Sequence, residues 1–227
     1  MKTKTKALAL FLSAVLLVVT TVFTTMAFLT STDEVTNTFT VGKVKITLDE
    51  AKVDEYGNLL DADGKVWEDG KTLANRVTGN GYKLIPGHMY VKDPTVTVVE
   101  ESEQCYVRML VTVSNVNVLK EAFPTYVDAT TGVFLLQNLV SGWNANVWNY
   151  EDYDAKTSTY EFRYYDVVDA REAAVKLPAL FTNVVIPGEV DNDTLATLEG
   201  ETINVVAHAI QADGFQDDDA AWAAWGN

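Results

Sequence analysis

The sequence predicts an all-β protein: a jelly-roll-like β-sandwich with a projecting β-hairpin and few short helices. Many short stretches alternate apolar and polar residues with a period of two, which is typical of strands that bury one face. Turn residues separate these stretches at regular spacing, and helical periodicity is scarce. Together these observations favour two packed antiparallel sheets.

The N-terminal residues 1–27 form a predicted signal peptide. Three lysines and no acidic residue precede an apolar stretch over residues 7–19, as in a charged n-region followed by an h-region. Ala27 supplies the small residue that a signal peptidase requires, so we expect cleavage between Ala27 and Phe28. The alternative is an uncleaved anchor ending at Leu29, since a span of about 20 residues can cross a bilayer.

Residues 28–227 are predicted to form a single domain, long enough for one hydrophobic core. The chain holds 32 acidic against 17 basic residues, a net charge of −15, and cleavage would remove three lysines and no acid. Such a surface repels nucleic acid and anionic membranes. We therefore expect no nucleic-acid partner, a membrane association only in the uncleaved precursor, and an extracellular location.

The one cysteine, Cys105, is predicted to be a core residue. It begins an apolar set at every second position of a strand over residues 104–114, with polar residues between. A disulfide to a second chain and a nucleophilic role are the alternatives.

Further strand signals occur along the chain. Alternation predicts strands over residues 37–48, 89–101 and 104–114, a hairpin turning at residues 154–156, a strand before Pro187, and a strand from residue 202. The dipeptide Asp63-Gly64 between apolar pairs predicts a hairpin over residues 53–70. Segments 116–127 and 168–177 are helical turns or loops, and residues 217–219 are expected to cap a short terminal helix.

Motifs for catalysis are missing from the sequence. The two histidines, His88 and His208, belong to no H-E-x-x-H pattern, and there is no G-x-S-x-G elbow or phosphate-binding glycine motif. We therefore predict no enzyme activity, no cofactor and no metal. The acidic turns could hold one weak calcium ion, but the EF-hand spacing fails at residues 59–70, and solvated turns explain these acids equally well.

The central region, residues 143–165, is rich in tyrosine and tryptophan at strand spacing. Cross-strand packing explains this pattern. An exposed aromatic surface that binds glycans or neighbouring subunits is the alternative.

Three stretches resemble the TasA/camelysin family of secreted bacterial matrix proteins. The strand pattern N-x-F-x-x-G-x-[VL]-x-[IL] that follows the family's cleavage site is matched by Asn37, Phe39, Gly42, Val44 and Ile46. A second motif, l-x-P-G-d-x-x-x-k-d, is matched by Pro86, Gly87, Lys92 and Asp93. The ending from His208 onward is similar to the C-terminus of longer members.

The resemblance implies export, processing by a signal peptidase of the SipW type, and assembly into fibres of the biofilm matrix or cell surface. In such fibres the N-terminal strand of one subunit completes the sheet of the next, here a donor-type strand over residues 28–48. The implied assembly residues are Phe28, Leu29, Val35, Phe39, Val41, Val44 and Ile46. A free strand with unpaired backbone groups can add to another subunit's edge, and such head-to-tail contacts build filaments.

The implied partners are other copies of the chain, the signal peptidase and a matrix polysaccharide. Two other functions stay open: a monomeric cell-surface module that binds calcium or a glycan, and a camelysin-like metalloprotease. The second finds no support in the ligand residues of this sequence.

Overall fold

The computed structural model describes residues 42–225 of the chain. These residues belong to one compact unit. The following predicted features lie outside the described residues: the signal peptide, the cleavage site Ala27-Phe28, and the assembly residues Leu29, Val35, Phe39 and Val41.

Strands dominate the described unit, and its helices are short. The strands are β1 (Ile46–Asp49), β2 (Met89–Val91), β3 (Thr95–Val98), β4 (Ser102–Val113), β5 (Val140–Ser141), β6 (Trp148–Asp154), β7 (Thr159–Tyr164), β8 (Val168–Ala170), β9 (Val175–Lys176), β10 (Asn183–Val185) and β11 (Ile203–Gln211). The helices are α1 (Val116–Ala122), α2 (Leu136–Leu139), α3 (Asn192–Ala196) and α4 (Asp218–Ala223), with a 3-10 turn at Pro124–Tyr126.

The strands form three antiparallel sheets. The largest has the order β11-β4-β7-β6, with β8 pairing to the first part of β4, and the smaller two have the orders β1-β3-β9 and β2-β10-β5. One hydrophobic core joins them, containing Met109 of β4, Phe162 of β7, Val96 of β3 and Val184 of β10. The architecture is an all-β sandwich, which confirms the predicted fold class.

Strand β4 is the centre of the large sheet and shows the alternation that the sequence predicts. Its inward residues are almost completely buried: Cys105, Val107, Met109, Val111 and Val113. Cys105 is a core residue, as predicted, and its burial raises the pKa of the thiol to about 11. The thiol therefore stays protonated and unreactive near neutral pH.

The predicted strand over residues 89–101 is interrupted at Pro94. The chain leaves one small sheet at the end of β2 and enters the other at the start of β3. Proline has no N–H to donate to a ladder, so it suits the point at which the chain changes sheets.

The predicted hairpin over residues 53–70 forms as two consecutive turns closed by single bridges. Leu60 pairs with Val66 around Asp63-Gly64, as predicted, and Gly64 adopts the left-handed conformation with φ of 78°. The Asp61 carboxylate accepts the N–H groups of Asp63 and Lys65, so the turn is fixed by its own acid.

Other segments differ from the prediction in detail. Residues 168–177 contain β8 and β9 rather than helical turns, because Val168 and Ala170 pair with β4 and are buried there. The terminal helix is confirmed: the Asp217 side chain caps α4 by accepting the N–H of Ala220 at 2.9 Å.

Candidate functional site

Strand β11 forms one edge of the large sheet. At one end of its ladder the N–H of Ser114 donates to the carbonyl of Thr202, and at the other the N–H of Ala212 donates to that of Gln104. Antiparallel residues exchange hydrogen bonds at every second position, so the even-numbered residues of β11 bond to β4. The N–H and C=O groups of the odd-numbered residues point away, and no strand in residues 42–225 pairs with them.

The side chains of β11 leave the core incompletely covered on this side. The inward residues Ile203, Val205, Ala207 and Ala209 are only half-buried, whereas their β4 partners are almost fully buried. No Asp, Glu, Lys, Arg or Pro occurs in β11. The strand thus lacks the charges, prolines and bulges with which exposed edges are usually protected.

A cavity of about 1020 Å³ opens beside the first half of β11. Its apolar lining includes Leu48, Leu84, Leu119, Phe123, Ile203 and Val205. Carboxylates and two lysines are among the other lining residues, including Glu50, Glu55, Lys83, Lys92, Glu199 and Glu201. The cavity is large enough for several apolar side chains.

Strand β1 borders the same cavity and is also an edge. The carbonyl of Lys45 accepts the N–H of Val99, so the odd-numbered positions of β1 bond to β3 and the backbone groups of Ile46 and Leu48 point away from it. The two described assembly residues, Val44 and Ile46, pack against the core of their own unit.

A polar cluster lies where β1, β2 and the loop over residues 78–81 meet. Glu50 accepts hydrogen bonds from Lys92 at 2.7 Å and from Asn80 at 2.8 Å. Next to it, burial and the negative charge of Glu50 raise the pKa of Tyr82, whose hydroxyl donates to the carbonyl of Val91. Sequence reasoning missed this cluster, because its three polar residues lie far apart in the chain and no pattern in the sequence links them to one another.

A second network of charges fixes α4 to the outer face of the large sheet. The Arg108 guanidinium stacks on Trp222, with 4.3 Å from its central carbon to the ring centroid. Arg163 on β7 forms ion pairs with Asp218 and Asp219 of the helix. Trp222 of the terminal helix therefore contributes to packing.

Both histidines are occupied by structural contacts. His88 Nε2 lies 2.7 Å from the carbonyl of Tyr56, and the ring meets Tyr90 edge-on. His208 stacks on Trp225 at 4.7 Å and accepts a hydrogen bond from Arg108 Nε at 3.3 Å. His88 directly precedes β2 and His208 lies in β11, which belongs to a different sheet. The two histidines therefore do not form a common site.

The acidic turns are explained by local hydrogen bonds. The carboxylates of Asp54, Asp61, Asp128, Asp154 and Asp191 each accept backbone N–H groups two to four residues ahead. These bonds lower the pKa of Asp128, Asp154 and Asp191 and hold the turns in shape. Over residues 42–225 there is no group of three His, Cys, Asp or Glu side chains that could hold a metal ion.

Most of the aromatic centre is packed within the sandwich. Trp148 and Tyr160 are buried, and ring contacts join Trp148 to Tyr164 and Tyr153 to Tyr160. Tyr150 and Tyr165 keep the most exposed rings of this region. Cross-strand packing, the first of the two interpretations, accounts for most of these residues.

Comparison of the chain with protein-family models, with curated proteins and with solved structures returned no match. In the part of the chain from residue 42 to residue 225, none of the helices has the length and apolar character needed to span a membrane.

Proposed function

We propose that this protein is a secreted structural subunit that assembles head-to-tail into extracellular fibres of a biofilm matrix or cell surface. After the signal peptide is removed, the N-terminal strand of one copy adds to the β11 edge of the next. The proposed role is mechanical rather than enzymatic. Other copies of the chain are the main partner.

The observation that carries this proposal is the combination of the uncharged β11 edge, whose outward backbone groups pair with no strand of residues 42–225, and a partly apolar cavity beside it. The free backbone groups of β11 can form a ladder with an added strand. The half-buried Ile203 and Val205 would gain cover from its side chains. Each apolar side chain that becomes fully buried contributes roughly 1.5–3 kcal/mol.

The chemistry of the N-terminal segment suits this occupant. Phe28, Leu29, Val35, Phe39 and Val41 supply large apolar groups among small polar residues, and the segment from 28 to 41 contains only two acids and no lysine or arginine. A strand of this composition can pair with the uncharged β11 without charge repulsion. Because donor and acceptor are different surfaces, the contact does not close and the product is a filament.

The test removes residues 28–35 from the purified mature chain. We expect a folded monomer that forms no fibres in electron micrographs, because the main apolar contacts of the added strand are lost. A matched control replaces only the polar residues Thr30, Ser31 and Thr32 by alanine and should still form fibres. Fibres of unchanged appearance from the truncated chain would overturn the proposal.

A further inference from the structure

Glu50 is a buried residue whose carboxylate bridges a lysine and an asparagine. Its carboxylate Oε2 accepts from Lys92 Nζ at 2.7 Å, and its Oε1 accepts from Asn80 Nδ2 at 2.8 Å. The Glu50 and Lys92 side chains are only 6% and 12% exposed. One carboxylate thus holds a nucleophilic amine and a side-chain amide side by side.

The amide of Asn80 is fixed in one orientation. Nδ2 also donates to the carbonyl of Ala51 at 2.9 Å, while Oδ1 accepts the N–H of Val53 at 3.1 Å. This network assigns the oxygen and nitrogen of the amide without ambiguity. The N–H of Val53 points at the oxygen on which negative charge would develop if the amide carbon were attacked.

We propose that Lys92 and Asn80 become joined by an intramolecular isopeptide bond, with Glu50 as the catalytic residue. The geometry supplies a nucleophile, a proton carrier that contacts both reacting side chains, and an oxyanion donor. Neither cofactor nor oxidant is needed, and the bond forms within the folded chain. The proposal is independent of fibre assembly.

The reaction balances as an amide exchange. Glu50 takes a proton from the Lys92 ammonium, and the neutral Nζ attacks Cγ of Asn80. The bond between Nζ and Cγ forms and the bond between Cγ and Nδ2 breaks. Nδ2 takes up the proton carried by Glu50 and the proton lost by Nζ, and leaves as an ammonium ion. The products are a secondary amide between the two side chains, one ammonium ion and the regenerated Glu50 carboxylate.

The positions of the two groups suit this proton transfer. Lys92 Nζ already donates to Glu50 Oε2 at 2.7 Å, so the proton moves along an existing hydrogen bond. The pair of Lys43 and Glu101 provides the contrast, because both side chains are mostly exposed.

The bond would join the end of β2 to the loop that precedes it. Lys92 comes directly after β2 and two residues before Pro94, where the chain changes sheets, while Asn80 contacts the carbonyl of Ala51 and the N–H of Val53, beyond the end of β1. A covalent link here restrains the unfolded chain and ties the β1 side of the sandwich to the β2 side.

Mass spectrometry of the denatured protein tests the proposal directly. The link lowers the mass by one ammonia and blocks the tryptic cut after Lys92. We expect a branched peptide that joins residues 77–83 to residues 84–108. Separate, unmodified peptides ending at Lys83 and Lys92 from the folded wild-type protein would overturn the proposal.

A competing reaction gives the same mass change and is separable. Asn80 precedes Gly81, and attack by the Gly81 nitrogen would also release ammonia, leaving a succinimide. Hydroxylamine cleaves the chain at a succinimide but leaves an isopeptide bond intact. Loss of ammonia that persists in Lys92→Arg would identify the succinimide and contradict the proposal.

Two variants isolate the chemistry from folding. Glu50→Gln keeps the shape and hydrogen-bonding capacity of the side chain but cannot take the lysine proton, so we expect a folded protein in which the branched peptide falls at least tenfold. The control Lys43→Arg changes the exposed lysine and should retain the link in full. Complete formation of the link in Glu50→Gln would show that the Glu50 carboxylate does not take part in the reaction.

Discussion

The two edges of the five-stranded sheet are built differently. At the β6 edge Glu151, Asp152 and Asp154 lie along the strand, and the register shifts by a bulge between Tyr150 and Asp152. At the β11 edge, nine residues pair with β4 in regular register, and none of them is Asp, Glu, Lys or Arg. Acids and a bulge discourage pairing with another strand, so the sheet is closed to partners on one side and open on the other.

The side chains beneath the two edges also differ in how completely they are buried. Trp148 at the start of β6 is completely buried, and its Nε1 donates to the carbonyl of Pro178 at 3.0 Å. Val205 on β11 is only half-buried and faces the cavity. The difference teaches that an isolated subunit can be fully packed along one edge and depend on an added strand along the other.

Replacing these two side chains by alanine should give the largest difference in stability. Trp148→Ala is expected to lower the free energy of unfolding of the monomer by about 3–5 kcal/mol, because it leaves a large buried cavity. Val205→Ala should cost less than about 1.5 kcal/mol, since part of the side chain is already in water. Urea denaturation of monomers measures both, and equal costs would contradict the difference in packing.

A proline on the open edge should block assembly while sparing the fold. The N–H of Ala207 points away from β4, so Ala207→Pro removes no bond of the existing ladder but denies one to an added strand. We expect no fibres by electron microscopy. The melting temperature of the monomer should fall by about 2–4 °C, which corresponds to about 1 kcal/mol in a domain of this size.

The matched control lies on the closed edge. Glu151 occupies the bulge of β6 and is exposed, so Glu151→Pro should leave fibre formation unchanged. Fibres from Ala207→Pro, or their loss in Glu151→Pro alone, would mean that β6 rather than β11 accepts the strand.

Acid should weaken the open side of the sheet slightly. Burial lowers the pKa of His208, the Arg108 guanidinium lowers it further, and Glu161 opposes the shift. The folded protein therefore binds this proton less readily than the unfolded chain. Neutral His208 makes its full contribution to the free energy of unfolding above pH 6.5, the pKa of histidine in the unfolded chain. This contribution is lost as the pH falls from 6.5 through the lower pKa of the folded state.

Melting temperatures measured between about pH 7.5 and pH 5 would detect the effect, which should be smaller than about 4 °C. His208→Gln should flatten this part of the profile. His88→Gln, which leaves the contact between His208 and Arg108 in place, should keep it. A profile that is flat in the wild type would contradict the prediction.

Local patterns in the sequence were sufficient for the main strands and turns. The alternation in β4 and β11, the turn at Asp63-Gly64 and the cap at Asp217 each depend on neighbouring residues, and the structure confirms them. The buried position of Cys105 follows from the same alternation. These features are predictable because side-chain direction and turn geometry are set within a few bonds.

The sequence was weaker where pairing partners decide the conformation. Residues 168–177 were predicted as helical turns or loops, yet pairing with β4 and β3 makes two short strands of them. Residues 89–101 were predicted as one strand, whereas the chain moves to another sheet at Pro94. In both places long-range pairing outweighs the weak local preference.

The sequence by itself determined the β class, the acidic surface, the alternating core strands and the apolar N-terminal segment, because composition and periodicity act locally. Only the tertiary structure decided which edge stays unpaired, where the cavity opens, and that Glu50 meets Lys92 and Asn80. Asn80 and Lys92 are 30 and 42 positions away from Glu50 in the chain. Their meeting depends on how β1, β2 and the connecting loop pack, and no local pattern encodes that arrangement.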